Sequence, residues 1–264
     1  MADKIIHHRA TIVSKFIDRL QDTFRGSTPP IGFRKVSEIE SPPLLIAVSL
    51  TDLSHKELKQ IPAADINAAV LNARGLETAT FEQLDKAFSN TPIGLLIGDD
   101  SDQTDIAQFI NRGCDFIIFD LKAPFEVVNR EKTGKIVRVD PSLEPGLIRS
   151  LNDIPADAVL INEMEPTLTV EHILICYRFA GLLNKPLLLT IKAPLTVEGL
   201  DSLRQAGING LFLDRGFPPG AIADLKKAID SLPRTPRKKT SAVPLLPRPT
   251  TGAQPEIAEE EEED

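Results

Sequence analysis

Residues 185–216 read KPLLLTIKAPLTVEGLDSLRQAGINGLFLDRG. Two short apolar runs, LLLTIK (187–192) and GLFLD (210–214), flank a stretch with helical character. Each run is too short for a helix and turns polar toward its end. Thr196-Val197-Glu198 opens the intervening helix with a capping hydroxyl, and Gly207 closes it just before the second run. A parallel sheet covered on both faces needs strands that are apolar almost throughout. The stretch therefore reads as strand, helix, strand.

The same unit recurs upstream. Six more apolar runs precede it: LLIAVSL (44–50), AAVLN (68–72), IGLLIG (93–98), DFIIFD (115–120), IVRVD (136–140) and AVLIN (158–162). Consecutive runs start 21 to 29 residues apart, each followed by a helix-like segment. Ser54-His55-Lys56-Glu57 and Thr80-Phe81-Glu82-Gln83 fit the capping box. Pro124 and Pro219 fall where a first helical turn tolerates proline. Eight such units close a barrel. An open, doubly wound sheet is the alternative, and it favours a glycine-rich first turn. Here that turn, SLTDLSHKE (49–57), has no glycine. The sequence predicts an α/β chain with a single (β/α)8 barrel over residues 41–232.

Two flanking zones complete the organisation. Within residues 1–40, Ile6, Val13, Phe16, Ile17, Leu20 and Phe24 recur at helical spacing until Gly26 and Pro29-Pro30. This amphipathic helix is expected to cover a barrel end or to bind a partner, a second copy of the chain included. Residues 233–264 hold six of the 21 prolines, a basic cluster (Arg234, Arg237, Lys238, Lys239) and the acidic end EEEEED. Too few apolar side chains are present to offset the entropy of ordering, so a disordered tail is expected.

Composition narrows the function. The 264 residues carry 30 basic and 38 acidic side chains, a net charge of −8. With one Tyr and no Trp, this acidic chain lacks the basic patches and stacking platforms of a nucleic-acid binder. Two cysteines, Cys114 and Cys176, make no disulfide framework or zinc cluster, and imply a reducing compartment. The N-terminus lacks the apolar run of a secretory signal, and polar residues interrupt the apolar stretch 168–191. A cytoplasmic protein with no membrane contact is expected.

In a barrel of this kind, chemistry gathers where the strands end. Those positions carry Ser49/Thr51/Asp52, Asn72/Arg74, Asp99/Asp100, Asp120/Lys122, Arg138/Asp140, Asn162/Glu163/Glu165, Thr190/Lys192 and Asp214/Arg215. Residues two apart on a strand share a face, which pairs Asp120 with Lys122, Arg138 with Asp140 and Thr190 with Lys192. Arg138 lies inside an apolar run, so its charge needs a partner. Asp120 and Asp140 are the candidates. The pair either plugs the barrel or, with Lys122, Asn162 and Asp214, clamps an anionic substrate. Lys192 either forms a Schiff base or stabilises an enolate, or extends from the mouth as a surface lysine. Asp99, Asp100, Asp102 and Asp105 offer oxygen ligands for Mg²⁺, or cap a helix; no other cofactor or metal is expected. Of four histidines, only His55 falls near the mouth, which argues against a histidine general base.

The stretch 185–216 resembles the last two βα units of aldolase-type and phosphate-binding TIM barrels. Deoxyribose-phosphate aldolases and FMN-dependent α-hydroxy-acid oxidases are similar here, with a lysine at the position of Lys192. The resemblance implies the TIM-barrel fold. The chain departs from these families at defined positions. The sixth run ends Leu160-Ile161-Asn162-Glu163, where the aldolases carry their Schiff-base lysine. Ala193-Pro194-Leu195 replaces a Gly-Gly turn, and Arg215-Gly216-Phe217-Pro218-Pro219-Gly220 replaces a Gly-Ser phosphate turn. The oxidases' histidine motif after the last strand is missing.

Two functional expectations result. One is a lyase or aldolase-like enzyme on a small anionic metabolite, with Lys192, Asp120 and Asp140 catalytic and Lys122, Arg138, Asn162 and Asp214 binding substrate. The other is a non-catalytic barrel serving as scaffold or binding module.

Overall fold

Each apolar run becomes a strand, and the eight strands pair in parallel, in sequence order, until β8 meets β1. The strands are β1 Leu45–Ser49, β2 Ala68–Asn72, β3 Ile93–Ile97, β4 Phe116–Asp120, β5 Gly134–Val139, β6 Ala158–Ile161, β7 Leu187–Ile191 and β8 Gly210–Leu213. The barrel is closed, so the open sheet is excluded. This computed structural model describes residues 14–26, 42–51, 58, 60–88, 90–98, 103–128, 133–162 and 167–233. The expected tail, apart from Pro233, lies outside the described residues, as do Ile6, Val13 and the Ser54–Glu57 capping box.

The helices are α1 Lys15–Arg25, α2 Thr78–Ala87, α3 Gln103–Asn111, α4 Phe125–Val128, α5 Pro145–Ser150, α6 Val170–Leu182, α7 Val197–Gln205 and α8 Ile222–Asp230. A 3-10 turn, Pro219–Ala221, precedes α8 and carries Pro219 at its first position. Thr196 caps α7, its hydroxyl accepting from the Gly199 N–H. Gly207 follows α7 with a φ of 104°, a conformation that suits glycine.

One capping assignment is corrected. Helix α2 starts at Thr78 behind Glu77, so Thr80 is already its third residue and caps nothing. The cause lies upstream. Asn72 Oδ1 accepts from the Arg74 N–H at 2.9 Å, and Gly75, with a φ of 67°, completes a tight turn that starts the helix early.

Two apolar clusters account for the continuous apolar runs. Residues alternating along each strand point either into the barrel or out beneath the helices. Inside are Leu45, Ala47, Val70, Ile118, Leu160 and Phe212, among others. Gly94 on β3 makes room for an inner ring: a Cβ there would sit 2.3 Å from Phe116 Cε2. The Phe116 ring lies in turn 4.8 Å from that of Phe16, a residue of α1.

Helix α1 forms the barrel floor. Phe16, Ile17 and Leu20 join the inner cluster, each burial worth about 1.5–3 kcal/mol. Asp115, just before β4, secures the helix start. Its carboxylate accepts from Ser14 Oγ at 2.7 Å, the Lys15 N–H at 2.8 Å and the Phe16 N–H at 3.0 Å. Buried helix ends need such partners, because their first amides have none within the helix. The stripe that suggested a cover or a partner helix thus covers the barrel.

Asp115 belongs to a recurring set. The residue before each even-numbered strand is Asn67, Asp115, Asp157 or Asn209. Asn67 Oδ1 accepts from the Ile46 N–H, Asp157 Oδ2 from the Lys135 N–H, and Asn209 Oδ1 from the Leu187 N–H, at 2.8, 2.8 and 2.9 Å. Each of the three also donates its own N–H to the carbonyl of the same residue, at 2.7 to 2.8 Å. Three even strands are thus clipped to the odd strand before them. At the fourth position the side chain holds α1 instead.

Candidate functional site at the barrel mouth

The inward-facing register continues past the apolar layers to the C-terminal strand ends. There it reaches Ser49, Asn72, Asp120, Arg138 and Thr190, all strand residues, and Asn162, Lys192 and Asp214, each one residue past its strand.

Asp120 and Arg138 face each other across β4 and β5. Arg138 Nε donates to Asp120 Oδ1 at 2.6 Å, and Nη2 donates to Oδ2 at 2.7 Å. This two-point geometry fixes the guanidinium plane. The side chains retain 23% and 27% of their exposure, so the pair lies at the edge of solvent.

Asp140 is not brought to Arg138. Strand β5 stops at Val139, and the exposed carboxylate turns to Ser142, accepting from its N–H at 2.8 Å and its hydroxyl at 2.6 Å. The Ser142 hydroxyl, then its N–H, hold the Asp140 carboxyl below the usual range. Asp140-Pro141-Ser142 carries the signature of an Asx turn, and that signal identifies the arrangement from sequence. Lys122 also leaves the strand face, because β4 ends at Asp120 and Lys122 lies exposed in the turn beyond.

The remaining candidates sit on the rim. Asn162 is half-buried, its N–H donating to the Val139 carbonyl at 2.8 Å. Lys192 is half-buried directly after β7. Asp214 is half-buried after β8, and its carbonyl accepts from the Phe217 N–H at 3.1 Å. Thr190 is 3% exposed, and its hydroxyl has no hydrogen-bond partner among the described residues.

A small cavity opens at the seam of β1 and β8, away from Lys192. It measures about 20 Å³ and is lined by Ser49, Thr51, Leu213, Asp214, Arg215 and Phe217, among others. That is room for about one water. The Thr51 hydroxyl beside it is buried with no partner among the described residues. The sequence places Thr51 among the strand-end positions but gives no signal for the cavity or for a buried hydroxyl there.

Asp52, Asp99, Asp100, Glu163 and Glu165 lie outside the described residues, so the Mg²⁺ expectation does too. Among the described residues, no group of three His, Cys, Asp or Glu side chains is arranged to hold a metal. His172 serves α6, where its Nδ1 accepts from the Thr169 N–H at 3.2 Å. Among the described residues, no helix is long and apolar enough to cross a membrane.

A closed parallel eight-stranded barrel with its polar residues at the C-terminal strand ends is a TIM barrel. Solved structures of the tryptophan synthase alpha-subunit from the hyperthermophile Pyrococcus furiosus share it. Two mutant forms superpose with TM-scores of 0.56 and 0.57 at 16% identity, over 72% of this chain and 97% and 98% of theirs. A further structure, from a study of that subunit's entropic stabilisation, gives 0.56 at the same identity, over 72% of this chain and 97% of that one. At this identity the likeness shows the fold alone. No family model and no curated protein matches the sequence.

Proposed function

We propose that the mouth binds a small anionic carbonyl compound and that the barrel acts on it as a lyase of aldolase type. The observation that carries this reading is the Asp120–Arg138 pair, set at an inward-facing register with its guanidinium plane fixed. Two-point anchoring holds the guanidinium at the mouth, where Asn162 and Asp214 add polar contacts and Lys122, exposed in the turn beyond β4, adds positive charge at the rim. Lys192 is the nucleophile. Its neutral amine adds to the substrate carbonyl carbon, water leaves, and a protonated imine forms. A base takes the proton of the β-hydroxyl, the carbon–carbon bond beside it breaks, one fragment leaves as an aldehyde, and the electron pair passes to the imine to give an enamine, which is reprotonated and hydrolysed to free the lysine. Asp120 exchanges the protons of these steps; Asp140, turned to Ser142, takes no part.

Borohydride trapping tests the reading. The full chain is incubated with acetaldehyde, pyruvate or glyceraldehyde 3-phosphate and reduced, and its peptides are mapped. A secondary amine on Lys192 is the expected product. Its absence with every probe removes the Schiff-base mechanism.

A non-catalytic binding barrel is the second reading. It is favoured by the position of the cavity, which lies at the β1–β8 seam and does not include Lys192. Binding of the same probes without any adduct would select it. For either role we propose a reducing, cytoplasmic setting, supported by the two buried free thiols.

A further inference from the structure

Helix α6 is apolar on two opposite sides. Its inner side buries Cys176 and Phe179. Its outer side presents Val170, Leu174 and Tyr177, 78%, 63% and 47% exposed. These positions recur at i, i+4 and i+7 and form one stripe. The polar residues of the helix leave it bare. His172 is buried and caps the helix, Arg178 donates to the Pro141 carbonyl, and Glu171 stands at the first turn. Leu147 on α5 and Val197 on α7, 55% and 43% exposed, extend the apolar surface onto the two helices packed against α6. A helix apolar all round is ordinarily a buried one.

We propose that this face of α5, α6 and α7 is the interface between two copies of the chain. The five residues, 43% to 78% exposed, make an apolar surface on the order of several hundred Å², the size of the largest patch on a lone protein. A standard interface takes about 800 Å² from each partner, and about 65% of that is apolar in homodimers. The stripe supplies an area of that size. It also suits a partner identical to itself. On α6 the one exposed charge, Glu171, lies at the N-terminal end, so two α6 helices packed antiparallel keep their Glu171 carboxylates at opposite ends; Arg149 on α5 and Glu198 on α7 are also exposed and flank the apolar stripe. In α1, Phe16, Ile17 and Leu20 face the barrel interior, so the described part of the N-terminal stripe is already covered.

Sedimentation of the full chain across a broad dilution series tests the proposal. Wild type is expected to form a dimer that dissociates on dilution. Leu174→Lys, an exposed change, is expected to weaken self-association at least about tenfold with an unchanged far-UV circular dichroism spectrum. Val170→Glu is expected to do the same, whereas Phe125→Lys, on α4, leaves the dimer intact. A wild type that is monomeric throughout overturns the proposal, including the case where residues 234–264 cover the stripe. So does a Leu174→Lys protein that dimerises as wild type does.

Discussion

Arg138 and Asp120, register partners on adjacent strands, are joined by two parallel hydrogen bonds of 2.6 and 2.7 Å. Removing one member takes a two-point ionic contact from a partner that lies at the edge of solvent. Asp120→Asn is therefore expected to lower stability by about 1–3 kcal/mol, between the values for exposed and buried pairs. Urea unfolding measures this. The double change Asp120→Leu with Arg138→Met is expected to recover most of the loss, since it removes both charges. A single-mutant effect below about 0.5 kcal/mol would show that the pair is a solvent-screened contact.

Asp157 gives a pH prediction. Burial raises its carboxyl above the usual range, and this outweighs the lowering by the Lys135 N–H it accepts. An acid with a raised folded pKa favours its protonated form in the folded chain. Its stabilising contribution is present below the ordinary value near 3.8 and is lost as pH rises through the folded value. Asp157→Asn keeps the acceptor oxygen, as Asn67 and Asn209 show at the equivalent positions. The variant is expected to match or exceed wild-type stability at neutral pH. Its advantage should grow from pH 4 upward in a series of urea melts. A variant less stable than wild type at pH 7 contradicts this account.

The two thiols report on packing. Burial pushes both Cys114 and Cys176 up to about 12. Only the thiolate reacts readily, so the folded chain is expected to resist a thiol reagent such as Ellman's at pH 8. Unfolding in guanidinium should expose both cysteines. Fast labelling of either in the native protein would mean that β4 or α6 opens locally.

Most of the barrel was legible because a strand buried on both faces must be apolar on both. Runs such as AAVLN at 68–72 therefore mark a strand to the residue. The helix starts were less legible. At Thr80 the capping pattern is present, but the turn built by Asn72 and Gly75 puts the cap three residues earlier, at Glu77. At the mouth, sequence brought Arg138 to two carboxylates, and strand length chose between them. Strand β5 stops at Val139, which leaves Asp140 to Ser142. The end of β4 at Asp120 likewise puts Lys122 in a turn. The outer apolar stripe of α6 was hidden for a different reason: a helix apolar on both sides has no clear period to read.

The four Asn and Asp residues at the lower edge give the barrel an index mark. A closed ring of similar units has no natural starting point, and a floor helix has several equivalent orientations in which to lie. Three of the four stations here are occupied by neighbouring strands. Only Asp115 leaves its carboxylate to the start of α1. The floor helix is therefore keyed to the ring at its start by Asp115, and along its length Arg19 and Gln21 donate to the Asn67 and Asp157 carbonyls, so that three of the four stations fix the direction in which it lies.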